Sequence, residues 1–147
     1  MSSLDELYRE VILEHYKSPH NHGRLDVPDV ATKGKNPLCG DEIEISLRFD
    51  GDSVDEIRFS GRGCSISQAS ASMLTDAVKG KSIHDAEALV SQFKAMMRGE
   101  PVSTEDWGDL ESLSGVRRYP ARVKCALLAW TTLEEGLQIR QHNSAGS

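Results

Sequence analysis

The chain has 147 residues, 38% of them hydrophobic and 27% charged, and a net charge of −6. This is the make-up of one soluble globular domain with a core of its own. It speaks against nucleic acid as a general partner, because an acidic surface repels phosphate. No apolar run approaches the ~20 residues of a membrane span, so no membrane association is expected. No charged-then-apolar leader opens the sequence. The three cysteines, an odd number, argue against a disulfide framework and for a reducing, cytoplasmic setting.

In chain order, Ser3 to Lys17 reads as an amphipathic helix: Leu4, Leu7, Tyr8, Val11, Ile12 and Tyr16 fall at helical spacing. Ser3 and Glu6 fit a capping box, and Pro19 follows the end. His15 lies on the apolar stripe as a core or interface histidine, while His20 and His22 lie in a loop over residues 18–30, where they could bind a metal as a pair but read better as surface histidines. Residues 31–36 supply one strand. Ile43, Ile45, Leu47 and Phe49 alternate with polar residues in a half-buried second, and Asp50 to Ser53 turn the chain into a third over Val54–Ser60. After Cys64 the spacing becomes helical through Val78, with Gly80 as the stop. Ser82 and Asp85 cap a further helix, which buries Ile83, Ala86, Leu89, Val90, Phe93, Met96 and Met97 and ends at Gly99. A polar stretch follows, with a short turn near Trp107. Ala121 to Arg140 forms the last helix, and residues 141–147 are expected to be a disordered tail. Strands first and helices after give an α+β fold: a small antiparallel three-stranded sheet with helices on one face, in a single domain over 1–140.

The cysteines sit where reactive or metal-binding thiols belong. Cys39 lies in Pro37-Leu38-Cys39-Gly40-Asp41, Cys64 ends Gly61-Arg62-Gly63-Cys64, and Cys125 opens the last apolar helical run. A glycine beside a cysteine permits a tight turn, and a helix start favours thiolate. An antiparallel hairpin brings the start of its first strand and the end of its second to one end of the sheet, so Cys39 and Cys64 should meet there. Three sulfurs and the Asp41 carboxylate make four donors, the number a tetrahedral Zn²⁺ ion takes. Their formal charge with zinc is −2 (−4 + 2), which nearby Arg122 would help to balance.

Cys-Gly-Asp, then Gly-x-Gly-Cys, then a cysteine opening the last helix together resemble the U-type proteins of iron–sulfur cluster assembly, the IscU/SufU superfamily. The opening segment Tyr8-Arg9-Glu10-Val11-Ile12-Leu13-Glu14-His15-Tyr16-Lys17-Ser18-Pro19-His20-Asn21-His22-Gly23 is also similar to that family's first helix and loop. The resemblance covers roughly residues 4–140 and implies a SufE/NifU-like sandwich. Two departures separate the chain from the scaffold branch. Lys124 stands where scaffolds carry a histidine before the third cysteine, and Tyr119-Pro120-Ala121-Arg122-Val123 replaces their chaperone-binding motif. A polar insertion over 99–117 completes the likeness to the SufU branch.

That likeness implies a zinc-dependent sulfurtransferase. It would accept persulfide sulfur from a SufS-type cysteine desulfurase and pass it towards a SUF cluster-assembly scaffold. The alternative is a scaffold that builds an iron–sulfur cluster on the same residues. Cys39 is the expected sulfur acceptor, because Pro37 and Gly40 leave its loop free to move, whereas Cys64 and Cys125 are tied to helices. The family resemblance points to the same residue.

Overall fold

The computed structural model describes residues 3–37 and 40–145. The elements are α1 (Ser3–Lys17), β1 (Val30–Asn36), β2 (Asp41–Asp50), β3 (Ser53–Arg62), α2 (Ser65–Val78), α3 (Ile83–Met97), a 3-10 helix (Gly108–Arg118) and α4 (Pro120–Ala145). The expected α+β architecture is observed. The strands form an antiparallel sheet in the order β1-β2-β3. Ile43, Ile45, Leu47, Ile57 and Phe59 are buried, as their alternation requires. Ser46 points to the opposite face, where Leu25 covers it and donates its N–H to the Ser46 hydroxyl at 3.1 Å.

Two helices lie directly on the sheet. α4 runs over β1 and β2, and α2 backs β3. The close approach of α4 depends on Gly34, where a Cβ would fall 2.1 Å from Thr132 Oγ1. The Thr32 hydroxyl donates to the Thr132 carbonyl at 3.0 Å across the same contact. α1, α3 and the 3-10 helix pack mainly on helices and on one another. Phe93 of α3 stacks on Trp130 of α4 with ring centroids 4.2 Å apart. The Trp130 indole N–H donates to Ser70, whose hydroxyl donates to the Ala126 carbonyl.

Three details depart from the sequence reading. α2 is buried nearly all round: Ser67, Ser70, Ser72 and Thr75 lie inside with its apolar residues, because α1, α4 and the sheet enclose the helix. Their small hydroxyls find partners there, so their burial carries little penalty. The stretch around Trp107 is more ordered than a turn, for it continues into eleven residues of 3-10 helix that bury Leu110, Leu113 and Val116. α4 also continues to Ala145, through the start of the segment expected to be disordered. Its end is tied down by Arg140, which donates to the Gly51 carbonyl and sits over the Phe49 ring, and by Gln141, which donates to Glu87. The side chain of Ser3, half of the expected capping box, lies outside the described residues. No described helix is long and apolar enough to cross a membrane.

Candidate metal centre

The hairpin geometry brings two of the expected donors, Asp41 and Cys64, to one end of the sheet. Asp41 opens β2, Arg62 closes β3, and Glu42 pairs with Arg62. Asp41 and the Gly63–Cys64 step are therefore neighbours. On the other side Asn36 pairs with Asp41, and the Gly40 N–H donates to the Asn36 carbonyl at 2.8 Å. Leu38 and Cys39, between Asn36 and Gly40 in sequence, lie outside the described residues.

Cys64 is the residue that caps α2 at its N-terminus. Its N–H donates to Asp41 Oδ1 at 2.9 Å, and its sulfur lies 3.6 Å from Asp41 Oδ2 and 3.8 Å from the Ser67 hydroxyl. Ligand atoms of Asp41, Cys64 and Cys125 all lie within 4.8 Å of one another. Asp41 and Cys125 are each 1% exposed, and Cys64 is half-buried, so the cluster reaches solvent mainly through Cys64. Gly63 makes this approach possible: a Cβ there would lie 2.4 Å from Asp41 Oδ1 and 2.6 Å from Ser67 Oγ.

The sequence reading placed Cys125 at the opening of α4. It is in fact the sixth helical residue, since the helix begins at Pro120. The helix-start argument for thiolate therefore belongs to Cys64, at the head of α2, and the first turn of α4 contributes Arg122 instead. Arg122 is exposed, and its pKa is raised above the ordinary value. The largest cause is charge attraction to Cys64, followed by hydrogen bonding to Cys125 and to Cys64. Lys124 is exposed.

The donor set suits zinc. Thiolate sulfur and carboxylate oxygen are both zinc ligands, and the ion imposes no geometry of its own. Two sulfurs and a carboxylate gathered by one strand and two helices also match a site without a Cys-x-x-Cys pair. Sequence reasoning missed a second group of side chains. His15, His20 and Asp76 likewise bring ligand atoms within 4.8 Å of one another. His15 was expected to be internal and is 4% exposed, but its neighbour Asp76 is 61 residues away in sequence (76 − 15), so spacing carried no signal of the pairing.

Fold and site together define a small α+β domain that gathers cysteines and an aspartate at the end of a three-stranded sheet. The chain belongs to the NifU-like N-terminal domain family, whose model matches residues 7–138. It is 47% identical over 137 residues to the zinc-dependent sulfurtransferase SufU of Bacillus subtilis, covering 92% of each chain. It is 45% identical over 139 residues to the iron–sulfur cluster assembly scaffold protein IscU of Streptococcus pyogenes, covering 94% of this chain and 87% of that protein. A crystal structure from Fervidobacterium islandicum AW-1, described as a cluster assembly scaffold protein for the SUF system, superposes with a TM-score of 0.85 at 35% identity. It covers 92% of this chain and 99% of that one.

Proposed function

We propose that this protein is a zinc-dependent sulfurtransferase that takes persulfide sulfur from a SufS-type cysteine desulfurase and hands it to iron–sulfur cluster assembly. The observation that carries the reading is the convergence of Asp41, Cys64 and Cys125 beside Arg122. The likeness to the Bacillus subtilis sulfurtransferase supports it. Asp41, Cys64, Cys125 and Cys39 would hold the ion. When bound, zinc supplies positive charge that keeps thiols deprotonated at neutral pH.

The residues then divide the work. Asp41 and the α2 head fix Cys64, and burial fixes Cys125. Arg122 sets a guanidinium against both sulfurs. Cys39 is the acceptor. Its thiolate attacks the outer sulfur of the donor's persulfide, a new S–S bond forms at Cys39, and the donor's S–S bond breaks. The electron pair of that bond leaves on the donor cysteine as thiolate, and the transferred sulfur keeps its proton. A groove of about 380 Å³ beside Arg122, lined by Tyr8, Leu13, Ile66 and Tyr119 among others, offers the donor a surface next to the site. It includes part of the α1 stripe.

The scaffold reading rests on the relative from Streptococcus pyogenes, and the same donors would hold iron. Lys124, in place of a histidine ligand, favours the transferase. One experiment separates them: metal analysis of freshly purified protein, with a desulfurase assay run with and without it. About one zinc per chain and a stimulated desulfurase are expected. Stoichiometric iron with visible charge-transfer absorption, and no stimulation, would establish the scaffold instead.

A further inference from the structure

The strongest unassigned feature lies where the end of α1 and the following loop meet α2 and the 3-10 helix. His15 Nδ1 is 2.7 Å from the Ser72 hydroxyl, and His15 Nε2 is 2.8 Å from Asp109 Oδ2. The His20 ring stands 4.5 Å from the His15 ring, centroid to centroid, and its Nδ1 hydrogen-bonds to Asp76 Oδ2. The His20 backbone N–H also donates to Ser72, so one buried hydroxyl holds both histidines in place. A pocket of about 200 Å³ reaches this group and is lined by His15, Asp76 and Asp109, with Met73, Trp107 and Leu110 among its walls.

We propose that His15, His20, Asp76 and Asp109 form a second metal site, for a divalent first-row transition-metal ion. Imidazole nitrogen with carboxylate oxygen suits Zn²⁺, Fe²⁺, Ni²⁺ and Cu²⁺, and it disfavours soft Cu⁺, which seeks sulfur. Two neutral imidazoles and two carboxylates carry −2, which one divalent ion neutralises. The cysteine cluster with three thiolates and a carboxylate stays negative with its zinc. His15 is oriented for ligation: its Nε2–H donates to Asp109, an ion would take the place of that proton, and once Nε2 ligates the ring proton sits on Nδ1 and donates to Ser72. A ligating histidine is normally held by such a bond from its other nitrogen. Donor atoms around a tetrahedral zinc lie roughly 3.3 Å apart at Zn–N and Zn–O distances near 2 Å. His15, His20 and Asp76 must therefore contract from separations of up to 4.8 Å, with Asp109 already bonded to His15. His20 and Asp76 can supply that movement, because their side chains are 50% and 47% exposed, while His15 is the fixed point. A bound ion would tie α1, α2 and the 3-10 helix together.

The test is a Co²⁺ titration of the untagged full chain, followed by absorption and by imidazole nitrogen NMR, with Zn²⁺ calorimetry alongside. Thiolate-to-cobalt charge transfer reports the cysteine cluster, and the His15 and His20 ring signals report this one, so failure at either site is visible separately. The expected result is an equivalent of ion that moves both histidine signals without adding charge-transfer absorption. His20→Ala and Asp76→Asn should each weaken that equivalent by at least about tenfold, with the charge-transfer equivalent intact. Histidine signals that stay put throughout the titration would overturn the proposal. So would a sulfur-free equivalent that survives unweakened in both variants.

Discussion

Among the described residues, two clusters of side chains have the chemistry to hold a metal ion, and they are built in opposite ways. At the end of the sheet, Asp41 and Cys64 are positioned by backbone pairing: strand register sets them side by side, and Gly63 clears the space between them. At the end of α1, His15 and His20 are positioned by side chains, through Ser72, Asp76 and Asp109. The first cluster sits where chain connectivity changes direction and is lined by the short linkers around β2 and β3. The second sits where three separately folded elements happen to face one another. The Asp41–Cys64 half of the first cluster is fixed as soon as the hairpin forms and then waits only for α4 to bring Cys125, whereas the second cluster depends on the whole helical layer docking.

The contrast can be tested by mutation, and the largest effect should come from Cys39→Ser. It should abolish persulfide on this protein after incubation with desulfurase and cysteine, read by mass spectrometry under persulfide-preserving conditions, and leave some zinc on the other ligands. Extra sulfur on Cys125, with Cys39 unmodified, would overturn the acceptor assignment.

Asp41→Ala comes next. It removes a donor and also leaves the Cys64 N–H without its 2.9 Å partner. Zinc retention and sulfur transfer should fall together, the affinity by at least about tenfold. Unchanged zinc affinity with full desulfurase stimulation would show that Asp41 is no ligand.

His15→Ala should do the reverse. It strips partners from Ser72 and Asp109 and opens a buried space, costing about 2–3 kcal/mol of stability in chemical denaturation. Zinc at the cysteines and sulfur transfer per folded molecule should hold. Loss of both would mean that the two clusters are one cooperative unit.

Gly63→Ala should cost about 1–3 kcal/mol, since the added methyl meets Asp41 and Ser67. Here the loss should be accompanied by weaker zinc binding, unlike that from His15→Ala. The smallest effect is expected from Arg122→Ala: a few-fold slower transfer at low ionic strength, shrinking as salt screens the exposed pair. Arg122→Lys should recover part of it.

Much of the sheet-end cluster was legible in the sequence because its logic is local. Cys-Gly-Asp and Gly-x-Gly-Cys each flank a strand, and alternation in Ile43–Leu47 and Ile57–Phe59 tells which strands they are. The side-chain cluster was not legible, since Asp76 and Asp109 carry no pattern linking them to a histidine on another helix. The 3-10 helix had a signal that a helical period of 3.6 passes over: Leu110, Leu113 and Val116 recur every third residue, which is the 3-10 repeat. The burial of the serines of α2 could not be read from composition, because a hydroxyl is as compatible with a solvent face as with a crowded one. The length of α4 was underestimated for a related reason. Its last turns are polar, and their anchors, Gly51 and Glu87, belong to distant segments.

Cys125 stands 86 residues after Cys39 (125 − 39) and on the last helix, which itself lies against β1 near the front of the chain. During synthesis at roughly 5–20 residues per second, about 4–17 s separate the emergence of these two thiols. Cys64 follows Cys39 by 25 residues (64 − 39), so for most of that interval both are present on a nascent chain without Cys125, and the hairpin has no α4 to cover it. Cys39, the proposed acceptor, thus spends its first seconds on a chain that does not yet include Cys125.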